Sequence, residues 1–321
     1  MEAGSEVVEV GNYWGDMPEE EFYASQGVRN RKEYFKTPHG TVFGQEFVPV
    51  VVEGKRPNGV VCMTHGYGSD TGWMFQIFAI EAAKWGYVAY AADMLGHGRS
   101  DGVRCYTPDC EKVAAASLSF FKAMRDSDAN KGLPAFLFGE SMGGAVSFLM
   151  HFQDPSGWDG FIFSAPLFKM PGPMRPSRLE ILGFSVIRPF VDTWELFPDR
   201  ARGKRVIGDP SRGKQISRNP RRYTGKPRVG TMLELTRMAD DICSRMDKFN
   251  APFLTLHGTA DEITSLEGSR DLYEKAATSD RTFKTYEGAC HSLVQGEKDA
   301  TRAAVLRDIR EWLDERVERK Q

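Results

Sequence analysis

Short runs that are apolar at nearly every position alternate along this chain with longer stretches in which apolar residues return every third or fourth place. The runs 59–64, 87–92, 135–138, 160–163, 252–256 and 282–286 have strand length and show almost no polar face. That pattern predicts parallel strands covered by helices on both sides. Between them, Val113, Ser117, Phe120, Phe121 and Met124 form one helical stripe, and Leu306, Ile309, Leu313 and Val317 form another near the C-terminus. Segment 41–52 alternates loosely and predicts an antiparallel hairpin at the sheet edge. The fold class is therefore α/β, with a mostly parallel central sheet and helices on both faces. The rhythm stops after Ser164-Ala165-Pro166 and resumes near Thr231. Residues 1–165 and 231–321 then form the two parts of one core, and 166–230 are an inserted helical cap.

Composition narrows the class of protein. The chain has 321 residues, 42 Lys+Arg against 44 Asp+Glu, and 41 % apolar residues, which excludes disorder, collagen and coiled coil. The longest apolar runs are broken by Lys84, Asp93 or Gly139, so no membrane-spanning helix is expected. Neither end carries a secretory, prenylation or retention signal, which points to a cytoplasmic protein. Cys62, Cys105, Cys110, Cys243 and Cys290 are odd in number and lack zinc-ligand spacing, so they read as reduced thiols, with no metal and no cofactor expected. Cys290 precedes a histidine of interest and reads as a space-filling residue. Charge is uneven: residues 169–228 hold 15 Lys+Arg against 5 Asp+Glu, a local +10 against −12 for the remainder. The first half of that segment is also rich in Phe, Met, Leu and Ile. Two readings follow, attraction of anionic ligands or of an anionic membrane surface, or a solvated basic face over ordinary helix packing. No nucleic-acid motif accompanies the charge, and no nucleic acid is expected as a partner.

The chemistry concentrates at Gly139-Glu140-Ser141-Met142-Gly143, which follows a buried strand and opens a helix over 145–152. A G-x-S-x-G turn between strand and helix forces the serine into a strained backbone conformation and lifts its hydroxyl above the sheet. Small flanking residues let strand and helix approach. A serine hydroxyl near neutral pH needs a base, and the base needs an acid to fix its tautomer. His291 lies between the last strand and the last helix, and Asp261 lies just past the preceding strand. Both sit in loops at carboxyl ends of strands, where ligands gather in open α/β sheets. His257 is the rival base, read as a strand-end residue bonded to backbone. Asp93 and Glu262 are rival acids, but Asp93 precedes the serine and Glu262 faces away if Asp261 faces inward. Donors for a developing oxyanion are the backbone N–H groups of Met142 and of Tyr67, the latter in the loop opened by His65 and Gly66. His65 to Asp70 also spells H-x-x-x-x-D, a pattern associated with glycerolipid acyltransferases, but His65 and Gly66 are already explained as the turn of that loop.

HGYGSD at 65–70, DMLGHGRS at 93–100, GESMG at 139–143, HGTAD at 257–261 and HSL at 291–293 together resemble the monoglyceride lipase family of α/β-hydrolases, nearly end to end. WGDMPEEE at 14–21, SQGVRN at 25–30 and NPRRYTGKPRVGTM at 219–232 resemble, more narrowly, the plant caffeoylshikimate esterase and monoacylglycerol lipase-like branch of that family. The resemblance implies an α/β-hydrolase fold, a triad of Ser141, Asp261 and His291, oxyanion donors at Tyr67 and Met142, and a lid over 166–230. It implies a small-molecule ester substrate, caffeoyl shikimate first, with a monoacylglycerol or lysophospholipid as the alternative. A catalytically weak ligand receptor of the same fold and an acyltransferase are the further readings.

Overall fold

A computed structural model describes residues 12–50, 56–201 and 205–320. Eight strands form one sheet in the order β1-β2-β4-β3-β5-β6-β7-β8. These are β1 (Val28–Thr37), β2 (Gly40–Pro49), β3 (Val60–Thr64), β4 (Val88–Asp93), β5 (Ala135–Glu140), β6 (Gly160–Ser164), β7 (Phe253–Gly258) and β8 (Arg281–Tyr286). From β4 to β8 every neighbouring pair is parallel, and only β1–β2 and β2–β4 are antiparallel. All six predicted strands are present. Strands β3 to β7 are buried at every position, as expected where helices cover both faces.

Side chains leave a strand alternately to its two faces, so a buried strand feeds two cores. Cys62 and Leu137 point into a layer with helices α3 (Cys110–Arg125), α4 (Met142–Gln153), α7 (Val229–Arg245) and α8 (Leu266–Lys275). Val61, Met63, Phe136 and Phe138 point into the opposite layer with α1 (Glu19–Ser25), α2 (Gln76–Lys84) and α9 (Asp299–Glu318). Both predicted stripes lie on helices of these layers, α3 and α9.

Two expectations are corrected. Segment 41–52 is not itself a hairpin: its described part is the second strand of one, paired in register with β1 from Val28↔Pro49 to Thr37↔Gly40, while Val51 and Val52 lie outside the described residues. Strand β1 reads Val-Arg-Asn-Arg-Lys-Glu-Tyr-Phe-Lys-Thr, and only Val28 is buried. At the rim of the sheet it has one neighbour, and its charged residues stay in water. For the same reason β8, on the opposite rim, is half-buried along most of its length rather than apolar on both faces.

Between β6 and α7 the chain leaves the core and forms α5 (Arg178–Val191) and α6 (Pro210–Ser217). Ser177 and Glu180 form a reciprocal capping box that starts α5, and Asp209 caps α6. No residue of α5 is buried. Several basic residues of this stretch meet acidic partners: Lys169 with Glu267, Arg175 with Asp240, Arg188 with Asp192, Arg212 with Asp299, Arg221 with Asp70 and Arg228 with Glu195. Glu267, Asp240, Asp299 and Asp70 lie outside the segment and offset part of its +10, whereas Asp192 and Glu195 are already counted in it, and Arg178, Lys214, Arg218 and Lys226 stay exposed to water. No helix among the described residues is long and apolar enough to cross a membrane.

Candidate active site

The turn between β5 and α4 carries Ser141 at φ 56°, ψ −119°, backbone that a non-glycine residue adopts only when its surroundings hold it there. Those surroundings are hydrogen bonds and close packing. The Ser141 N–H donates to the Ser164 carbonyl at 3.0 Å, and its own carbonyl accepts from Gly144 at 3.0 Å and Leu167 at 2.9 Å. A Cβ on Gly139 would stand 2.5 Å from the Gly143 oxygen and 2.6 Å from the Gly144 Cα, and one on Gly143 would collide with the Thr64 and His65 carbonyl oxygens. The two glycines are thus the condition for helix α4 to start directly on the sheet.

Asp261, past the end of β7, is enclosed by its own turn. Its Oδ1 accepts from the backbone of Ile263 at 2.8 Å and Thr264 at 3.1 Å. Its Oδ2 lies 2.8 Å from Thr264 Oγ1 and 2.8 Å from His291 Nδ1. Burial opposes its charge, but His291 and His257 together hold its carboxyl far below the usual range. His291, past β8, is buried too. Burial disfavours its imidazolium, yet the Asp261 charge and hydrogen bond, with Glu140 beyond, overcome that and raise its pKa above the ordinary 6.5. Because Nδ1–H donates to Asp261, Nε2 is the free nitrogen. Ser141 and His291 are walls of one cavity, though among the described residues their side chains form no mutual hydrogen bond. Such bonds often tighten only when substrate arrives.

The 65–70 loop after β3 lies against the elbow: a Cβ on Gly66 would sit 3.3 Å from Ser141 Cβ, and Tyr67 and Met142 line the same cavity as Ser141. His65 braces this loop, with Nδ1–H donating to the Gly66 carbonyl at 2.8 Å and Nε2 accepting from Met94 N–H at 3.0 Å. Asp70 is engaged elsewhere, accepting from Gly72 N–H at 2.7 Å and Asn219 Nδ2 at 2.6 Å. The two ends of the H-x-x-x-x-D pattern therefore serve separately, one as a brace and one as a clamp.

The rivals are all placed. Asp93 is buried and accepts from Thr71 N–H at 2.6 Å, Thr71 Oγ1 at 2.7 Å and Arg99 N–H at 2.8 Å, so it orders two loops. Glu262 accepts from the Arg205 N–H at 3.1 Å and is turned towards the inserted segment. His257 departs from expectation: its Nδ1 lies 2.8 Å from Ser269 Oγ, and its Nε2 lies 3.2 Å from Asp261 Oδ2, so it neighbours the acid rather than bonding to backbone. All five cysteines are free, and burial raises the Cys290 thiol pKa, which keeps it protonated.

The cavity has a volume of about 390 Å³, enough for a small organic ester. Leu167, Met170, Met174, Met232 and Leu235 are among its apolar lining, and Glu140, Arg222, Ser292 and Gln295 among its polar lining. Glu140 is buried next to Ser141 in the chain and receives the Gln295 amide at 2.8 and 2.7 Å. Burial raises its pKa against these hydrogen bonds. None of the four polar residues was singled out from sequence. Glu140 stood inside the G-x-S-x-G motif, but only tertiary structure joins the others to it.

Fold and relatives together define a serine carboxylic-ester hydrolase of the α/β-hydrolase class. More particularly, the chain belongs to the serine aminopeptidase, S33 family, whose model matches residues 55–299. It is similar to the caffeoylshikimate esterase of Arabidopsis thaliana, with 54 % identity over 309 residues covering 96 % of this chain and 92 % of that protein. It is also similar to the monoglyceride lipase of Homo sapiens, 27 % identical over 81 % of this chain and 84 % of that one. Among solved structures, a soluble variant of Saccharomyces cerevisiae monoglyceride lipase in complex with a substrate analog shares the fold. Its TM-score is 0.71 at 19 % identity, covering 89 % of this chain and 96 % of that one.

Proposed function

We propose that Ser141, His291 and Asp261 form the catalytic triad and that the substrate is caffeoyl shikimate, cleaved to caffeate and shikimate. The observation carrying the substrate is the near end-to-end similarity to the Arabidopsis esterase, which includes the segments beside the cavity. In acylation, His291 Nε2 takes the Ser141 proton as Oγ attacks the ester carbonyl. The N–H groups of Tyr67 and Met142 receive the oxyanion. Collapse of the tetrahedral intermediate breaks the bond to the shikimate oxygen, which leaves with the proton from His291. Water, deprotonated by the same nitrogen, then releases caffeate and restores the serine. Asp261 keeps the proton on Nδ1 throughout and stabilises the imidazolium.

In this reading residues 166–230 are the lid, and 1–165 and 231–321 the two halves of the hydrolase core. The protein works where thiols stay reduced, in the cytoplasm. A monoacylglycerol is the second reading, favoured by the apolar cavity wall and by α5, where Leu179 and Phe190 are 81 % and 83 % exposed and Leu182 and Val186 share their face. Such a face, with Arg178 at its edge, suits peripheral contact with an anionic membrane. The deciding experiment compares kcat/KM on caffeoyl shikimate and on a 1-monoacylglycerol, with Ser141→Ala, expected to lose several orders of magnitude, as the blank. Preference for the glyceride by the same preparation overturns the first reading.

A further inference from the structure

Arg222 differs from Arg178, Lys214, Arg218 and Lys226 of the inserted segment, which are exposed and do not line the cavity. Arg188, Arg212, Arg221 and Arg228 each meet a carboxylate, and Arg200, which also lines the cavity, is held by Glu180 at 2.5 Å through Nη2 while its Nη1 is buried with no hydrogen-bond partner among the described residues. Among the described residues the Arg222 side chain forms neither a hydrogen bond nor an ion pair, although it lines the cavity with Ser141 and His291. It interacts electrostatically with Glu140, whose two oxygens already receive the Gln295 amide. Burial lowers the Arg222 pKa, but the guanidinium remains charged. A partly desolvated guanidinium with open donors, facing a substrate cavity, is a site for a planar anion.

The backbone holds it in place. Arg222 N–H donates to the Asn219 carbonyl at 3.1 Å, and the Arg222 carbonyl accepts from Arg104 Nη2 at 3.0 Å. Asn219 Nδ2 is tied to Asp70 at 2.6 Å, and Tyr223 N–H donates to Gly68 at 2.9 Å. The turn bearing Arg222 is thus fastened to the same 65–70 loop that reaches the nucleophile, so the cation and the reacting centre are positioned by one rigid piece.

We propose that Arg222 binds the carboxylate on the alcohol portion of an anionic ester substrate and sets the preference for that ester over a neutral one. The inference rests on the phenolic-ester reading above and names the group that recognises its shikimate half. A carboxylate docked here accepts two parallel N–H bonds from the guanidinium fork, a geometry that lysine does not reproduce.

The test compares caffeoyl shikimate with its methyl ester, which keeps the scissile bond and removes the charge. In Arg222→Met the ratio of kcat/KM for acid over methyl ester falls about ten- to a hundredfold, chiefly through KM, and Arg222→Lys recovers part of it. A ratio within one preparation cancels the fraction of folded enzyme, so poor folding does not imitate the result. Equal losses on both esters overturn the proposal, as does a wild-type enzyme that handles acid and methyl ester alike. A second arm measures inhibition of 4-nitrophenyl butyrate hydrolysis by shikimate and by methyl shikimate. The acid is the stronger inhibitor of wild type, and the difference disappears in Arg222→Met. If wild type inhibits in this way yet does not turn over caffeoyl shikimate, the assignment of Arg222 stands and the substrate reading falls. If caffeoyl shikimate is a good substrate and the acid-to-ester ratio is unmoved in Arg222→Met, the substrate reading stands and Arg222 falls.

Discussion

Asp261→Asn changes one atom and should silence the enzyme, for a reason visible in its surroundings. Oδ1 accepts two backbone N–H groups, from Ile263 and Thr264, so in the variant the amide oxygen keeps that position. The amide nitrogen then replaces Oδ2, 2.8 Å from His291 Nδ1 and 3.2 Å from His257 Nε2. An NH2 group donates there, so Nδ1 must accept and the His291 proton moves to Nε2, the nitrogen meant to receive the serine proton. A wrong tautomer of this kind lowers kcat by about 10⁴, or about 5.5 kcal/mol of barrier. The electrostatics supply a second signature. In the wild type the base must be neutral to act, and its raised pKa makes kcat/KM fall as pH drops through a value above 6.5. The variant loses the Asp261 charge while burial remains, so the acid limb of its residual activity moves below 6.5. Steady-state profiles on one ester over roughly pH 5 to 9 read both effects. A loss under about tenfold, or an acid limb that stays put, refutes the roles given to Asp261 and His291.

The elbow and the oxyanion loop give two more tests. Gly143→Ala drives a methyl group against the Thr64 and His65 carbonyl oxygens, so urea denaturation should show a loss of about 1–3 kcal/mol or more; a change below about 0.5 kcal/mol contradicts the packing argument. Tyr67→Phe removes a buried hydroxyl that has no hydrogen-bond partner among the described residues and leaves the backbone N–H in place, so kcat should stay within about twofold while stability rises by up to about 1 kcal/mol. A loss of more than about tenfold in kcat would give the hydroxyl a chemical role instead.

What the sequence made legible follows the strength of local constraint. Strands β3 to β7 are buried on both faces, so nearly every position before their carboxyl ends is apolar or small, and their positions could be read from the chain. The elbow was equally plain, because Gly139, Ser141 and Gly143 satisfy requirements within a few residues of one another. Strand β1 was missed because a rim strand with one neighbour keeps its charges hydrated and carries no apolar signature. His257 was misplaced because its partners, Ser269 and Asp261, are brought to it by a turn and a helix start, not by sequence adjacency. Arg222 and Gln295 could not be found at all from spacing, since they approach Glu140 from distant loops.

The charge of the inserted segment shows why a sum over sequence misleads about recognition. A count of +10 suggested a field that would draw anions generally, and the structure sets part of it against four carboxylates outside the segment. Exposed pairs of that kind contribute little energy and leave little long-range potential. Selectivity between an anionic phenolic ester and a neutral glyceride therefore has to arise where a cation lacks a protein partner and faces the reacting centre. The proposed triad cannot supply it, because Ser141, His291 and Asp261 would act on the carbonyl that every ester shares. Only groups that meet the rest of the substrate discriminate, and they belong to the inserted segment and the loops pinned to it. On that argument the family fixes the chemistry through the ends of the core strands, and the substrate is decided by residues such as Arg222 that the strands do not carry.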